Sequence, residues 1–100
     1  MRIVQKGETL GVFGIRHLCA ADAPDFKSDL RIALSARPRR VEIDLSETDF
    51  VDCGGVGALV AVRNCARRKN AAATIHLLHA GQVARHLLRM TGMDHLFGIE

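Results

Sequence analysis

The spacing of apolar positions changes several times along the chain, and each change marks a structural element. Ile3 and Val4 open a short apolar stretch that reads as an edge strand over residues 3–5. Lys6-Gly7-Glu8 is a turn, after which Leu10, Val12, Phe13 and Ile15 predict a second strand over 9–16, interrupted by Gly11 and Gly14. Phe26, Leu30 and Ala33/Leu34 then recur at helical spacing as one apolar stripe. The helix starts near Asp22-Ala23-Pro24-Asp25: Asp22 can cap, Pro24 suits the first turn, and Asp25 favours the positive end of the dipole. Arg37-Pro38 stops it, because the residue before proline avoids helical backbone.

Val41-Glu42-Ile43-Asp44-Leu45 alternates apolar and acidic residues, the signature of a strand. Thr48 to Asp52 reads as a connector, and Asp52 as the N-cap of a helix running from about Gly54 to Lys69. Val56, Leu59, Val60, Val62 and Ala66 cover a broad face of that helix, and Arg67, Arg68 and Lys69 form its basic last turn. Ala73 to Leu78 is a further strand, carried by Ile75, Leu77 and Leu78. Gly81 to Met90 is a third helix with Val83, Leu87 and Met90 on one side. Thr91-Gly92 ends it, and a terminal segment continues through Leu96, Phe97 and Ile99. Strands that alternate with helices imply an α/β domain with a largely parallel sheet and helices packed on it. The working surface of such a sheet lies where strands end and helices begin, which is the position of Asp52.

Composition narrows the function. One hundred residues make a single domain, 1–100. With four Phe and neither Trp nor Tyr, the core must be Leu, Val, Ile and Ala, leaving little room for a deep substrate cavity. That argues against an enzyme. No apolar run approaches the roughly 20 residues of a membrane helix, and Met1 to Gly7 lacks the apolar stretch of a secretory signal. Cys19, Cys53 and Cys65 are odd in number and form no Cys-x-x-Cys pair, so neither a disulfide framework nor structural zinc is expected. A reducing compartment, the cytoplasm, fits best.

The net charge of +3 gathers in Arg37-Pro38-Arg39-Arg40, in Arg63, Arg67, Arg68 and Lys69, and in Arg85 and Arg89. These read as solvated helix ends that complement the C-terminal dipole. Nucleic acid is not an expected partner, because no aromatic residues are interleaved to stack on bases. His17, His86 and His95 are scattered, and His76 and His79 point to opposite faces of their strand, so no metal site is expected. No Ser-His-Asp or Cys-His arrangement is visible, and no cofactor is implied.

Phe50-Val51-Asp52-Cys53-Gly54-Gly55-Val56-Gly57 is the most informative stretch. Three glycines at a helix start each cost roughly 1 kcal/mol relative to Ala in a helix interior, so something must offset them. Phosphate binding is one reading, since free N–H groups at a helix start attract anions. The stretch nevertheless lacks the Lys-Ser/Thr of a Walker loop and the spacing of a dinucleotide fingerprint. Close approach of a partner or a neighbouring strand is the preferred reading. Cys53 sits where a helix dipole favours a thiolate, which would suit a redox switch; the plainer reading is a small, half-buried filler.

Val41-Glu42-Ile43-Asp44-Leu45-Ser46, Phe50-Val51-Asp52 and Gly55-Val56-Gly57-Ala58-Leu59 together resemble the signature of STAS domains. Those are the anti-sigma factor antagonists and the related domains of sulfate transporters. The segment from Val83 to Met93, with its Thr91-Gly92-Met93 ending, resembles the family's last helix. The resemblance implies a four- or five-stranded sheet with about three main helices, and a regulatory module that binds an anti-sigma factor of the histidine-kinase-like ATPase type. In the usual Asp-Ser-Ser-Gly pattern the second serine accepts phosphate from that partner. Aligned on Asp52, Cys53 takes the first serine position and Gly54 the second, so the acceptor hydroxyl is missing. The implied contact surface is Phe50, Asp52, Cys53, Gly54, Gly55 and Val56. Alternative roles are an accessory subunit on the ATPase of a lipid-exporting ABC transporter, or a nucleotide-binding sensor. A second copy of the chain is a further candidate partner.

Overall fold

Five of the apolar segments become the strands of one sheet in the computed structural model, which describes residues 1–100. In chain order the strands are β1 (Arg2–Lys6), β2 (Thr9–Phe13), β3 (His17–Leu18), β4 (Arg40–Asp44), β5 (Phe50–Val51), β6 (Thr74–Leu78) and β7 (Gly98–Ile99). The helices are α1 (Ala23–Ala33), α2 (Cys53–Lys69) and α3 (Gln82–Met90), with single 3₁₀ turns at Leu34–Ala36 and Asp94–Leu96. The main sheet has the order β1-β2-β4-β6-β7; β1 is antiparallel to β2 and every other pair is parallel. A second, two-stranded sheet pairs β3 with β5 in parallel.

Register places the core. Leu10, Val41 and Ile75 stand side by side across β2, β4 and β6, and Val12, Ile43 and Leu77 form the next row. All six are at most 3% exposed. From β2 to β7 the parallel strands are added outward in one direction, and crossovers of the usual right hand then set every helix on the same face. Phe26 and Leu30 of α1, Leu59 and Val62 of α2, and Leu88 of α3 accordingly join one core cluster with those rows. The opposite face carries Gly11, Glu42 and His76 in register. There Arg40 Nε donates to Glu42 at 2.7 Å, and Glu100 lies 2.7 Å from His76 Nδ1. Parallel sheets are commonly covered on both faces. This one keeps its second face open by making it charged.

Several elements differ from the sequence reading. The second strand ends at Phe13 rather than Arg16, because Gly14 turns the chain at φ +73°. Residues 50–51 are a strand rather than part of a plain connector. Asp22 stands at the N-cap of α1 without capping it; its own backbone is helical (φ −96°, ψ −7°), and its carboxylate accepts from Cys19 Sγ at 3.3 Å. In α3 the side that reaches the core is Ala84 and Leu88. Val83 and Met90 are 62% and 70% exposed.

Candidate functional site

The tip of α2 is built by two chain segments that run together. Thr48 Oγ1 donates to the Ile15 carbonyl at 2.6 Å, Asp49 N–H to Arg16 at 3.0 Å, and Asp52 N–H to Leu18 at 3.1 Å. These bonds hold β5 against β3. Strand alternation then turns Leu18 inward, where it is buried, and leaves Val51 half-buried beside it. The outward pair is His17 and Phe50, and Phe50 is 53% exposed. Around it Asp49 lies 3.7 Å from Arg16 and 3.4 Å from His17, which gives the apolar ring a charged rim.

Asp52 fastens the next step. With extended backbone (φ −130°, ψ 179°) it is the N-cap of α2, and its Oδ1 accepts from Gly55 N–H at 2.9 Å. The same carboxylate accepts from Ala20 N–H, at 3.1 Å and 3.3 Å to its two oxygens. One side chain thus satisfies a helix-start donor and ties the helix to the turn after β3.

The glycines are explained by that closeness. A Cβ on Gly55 would lie 1.9 Å from the Leu18 carbonyl oxygen, and one on Gly54 would lie 2.5 Å from Ala20 Cβ. Of the two forms of close approach expected from sequence, these contacts are the neighbouring strand and its turn. Gly57 has open space around it.

The expected contact residues therefore fall into different environments. Phe50 and Cys53 are exposed, Asp52 and Gly54 half-buried. Gly55 and Val56 are buried, which removes them from any surface a partner could touch: Gly55 lies against Leu18, and Val56 is part of the core.

The structure adds a neighbour that sequence did not supply. A hollow of about 290 Å³ lies between the segment after β4 and the start of α3, lined among others by Leu45, Thr48, Phe50, Gly81 and Val83. Exposed Phe50 stands on one side and exposed Val83 on the other. The missed signal was the Ala84–Leu88 pair at i, i+4. It was a second apolar stripe competing with Val83–Leu87–Met90, and only packing decides between them.

β4 ends in Asp44, whose Oδ1 accepts from Ser46 N–H at 2.8 Å. Burial pushes this carboxyl up, but the Ser46 bonds and nearby His79 outweigh it and hold it below the ordinary carboxylate range. No three His, Cys, Asp or Glu side chains converge as a metal site would require. What the region presents is an apolar pair on a stiff, hydrogen-bonded frame, a geometry suited to gripping another surface.

The same architecture occurs in solved structures. A Thermotoga maritima protein described as a candidate anti-sigma factor antagonist superposes with a TM-score of 0.85 at 15% identity, over 98% of this chain and 83% of that one. An anti-sigma factor antagonist from Mycobacterium paratuberculosis gives 0.83 at 18% identity, over 98% and 81%. The anti-sigma factor antagonist SpoIIAA of Bacillus, in its unphosphorylated form, gives 0.76 at 13% identity, over 99% and 86%. No curated protein matches the chain by sequence. Residues 15–98 match the family model described as "Mlab, STAS domain", and the chain belongs to the STAS domain family.

Proposed function

We propose that this protein is a STAS regulatory module that works by binding another protein through the α2 tip and the adjoining start of α3. The observation that carries the reading is the pair of exposed apolar side chains, Phe50 and Val83, flanking one hollow beside the Asp52-clamped tip. Exposed aromatic and aliphatic anchors on a rigid support are what interfaces concentrate their energy on. The preferred partner is an anti-sigma factor of the histidine-kinase-like ATPase type, supported by the shared fold of the antagonists above. SpoIIAA is known in unphosphorylated and phosphorylated forms. Gly54 stands where the acceptor serine is expected, and Ala20 leaves no space for a Cβ there. Binding in this chain is then constitutive or governed by something other than phosphate.

The missing hydroxyl favours one second reading: a permanent subunit on the cytoplasmic ATPase of an ABC-type lipid transporter, which needs no such switch. Affinity capture with the wild-type chain separates the two, a histidine-kinase-like ATPase marking the first and an ABC ATPase the second. Phe50→Asp and Val83→Asp are each expected to weaken the captured complex by about tenfold or more, equivalent to about 1.4 kcal/mol. Unchanged capture by both variants would remove the proposed surface. Incubation with an anti-sigma kinase and ATP, followed by intact mass, is expected to leave residues 48–60 unmodified.

A further inference from the structure

A second cleft lies between α1 and α2, about 18 Å along α2 from its tip at the usual rise per residue. Its volume is about 140 Å³. The floor is apolar, made by Leu34, Ala61, Val62 and Cys65, and three cations, Lys27, Arg31 and Arg68, complete its lining. No acidic residue takes part. Nor does any of the three cations form an ion pair; the basic groups that do are Arg16, His17, Arg40 and His76.

In α1 the dipole accounts for Asp25 in the first turn and Arg31 in the last, but not for the sorting of Lys27 and Asp29 onto opposite flanks. Lys27 and Arg31 are four residues apart on the flank that meets α2, a mildly repulsive spacing. Asp25 and Asp29 repeat the same repulsion on the other flank, where they line a separate hollow with Asp22. Interleaving the signs would have given favourable pairs on both sides. Arg68 in the last turn of α2 and Arg31 in the last turn of α1 are explained by the helix dipoles, but Lys27 is not in a last turn and has no such account.

Three unpaired cations with no carboxylate among them favour an anion over a neutral ligand, with the apolar floor between them to receive its carbon chain. Two guanidinium forks and an ammonium also match the three acceptor oxygens of a phosphate group better than the two of a carboxylate. We propose that the α1–α2 cleft binds a phosphomonoester, its phosphate held by Lys27, Arg31 and Arg68 and its first carbons lying on Ala61, Val62 and Cys65. The group can arrive as a soluble metabolite or as the headgroup of phosphatidic acid. The proposal is independent of the partner surface at the α2 tip.

The test is a ¹⁵N–¹H NMR titration of the full chain with butyl phosphate, inorganic phosphate and butanol. Butyl phosphate is expected to bind most tightly, with shifts confined to residues around 27–34 and 61–68. Arg31→Gln and Arg68→Gln should each weaken it by about tenfold, while Arg89→Gln on α3 leaves it unchanged. In a Cys19→Ser, Cys53→Ser chain, saturating butyl phosphate should slow alkylation of Cys65 by uncharged iodoacetamide. Co-sedimentation with phosphatidic acid vesicles that is lost in Arg31→Gln assigns the headgroup source. Butyl phosphate binding without it assigns the soluble one. Shifts spread over all basic residues, equal loss in Arg89→Gln, or no response to butyl phosphate would each overturn the cleft as a specific site.

Discussion

At the scale of single residues, the α2 tip shows how a sequence oddity can have an internal cause. Three glycines near a helix start suggest a ligand, yet two of them are there because Leu18 and Ala20 pass too close for a Cβ. Sequence revealed the glycines and the cap; it could not reveal β3, whose two residues, His17 and Leu18, carry no strand pattern of their own. The glycines should therefore respond to substitution with opposite signs. Gly55→Ala forces a carbon 1.9 Å from the Leu18 carbonyl and is expected to destabilise by about 3 kcal/mol, the upper range of overpacking. Gly57→Ala meets nothing and should stabilise by about 0.5–1 kcal/mol through helix propensity. Urea denaturation of the two variants measures both. Asp44 gives a residue-scale test of electrostatics. Its carboxyl is held below the ordinary range, so its stabilising contribution is complete above about pH 4 and is lost as pH falls through the lowered native value. Asp44→Asn should thus be less stable than wild type at neutral pH, with the gap closing in acid.

At the scale of elements, what was legible followed the strength of the period. β4 and β6 alternate cleanly, so each was readable within a residue or two; the stripe of α1 marked its start, but the helix ends at Ala33 and a 3₁₀ turn leads on to the Arg37-Pro38 stop. In α3, by contrast, Val83, Ala84, Leu87, Leu88 and Met90 occupy more of the circumference than one neighbour can cover. Two stripes therefore compete for the buried side, and close packing on the sheet selects Ala84 and Leu88 over Val83 and Met90. The two sides should separate in stability. Leu88→Ala, at a fully buried site, is expected to cost about 2–5 kcal/mol. Val83→Ser and Met90→Ser should each stay within about 0.5 kcal/mol of wild type, as exposed substitutions do. Val83 then becomes a useful site for probing binding, because its loss does not disturb the fold.

At the scale of the whole molecule, strand–helix alternation was enough to imply a largely parallel α/β sheet, but not which faces the helices cover. That depends on strand order, and the order β1-β2-β4-β6-β7 grows in one direction after the opening hairpin, so a single helical layer results. Glu42 and Asp44 of β4 were visible in sequence as the wet half of an alternation, whereas Arg40, expected at a solvated helix end, stands on β4 itself. That Arg40 joins Glu42, His76 and Glu100 in one network across an open face was not visible, because it needs register between segments far apart in the chain. The one-sided build also fixes where the molecule opens first. β4 is paired on both edges, and its Val41 and Ile43 are wholly buried beneath the helices. β1 has one neighbour, and most of its residues are exposed. Amides in such an edge exchange through local opening, whereas those of the central strand require nearly global unfolding. Native-state hydrogen exchange should therefore rank protection β4, then β6 and β2, then β7 and β1. β5 pairs with two-residue β3 alone, but the bonds from Thr48, Asp49 and Asp52 to residues 15–18 hold it in place. A partner docked on that small sheet shields its amides from solvent, so added protection on β5 and the first turn of α2, with β4 unchanged, is the expected mark of docking at this end.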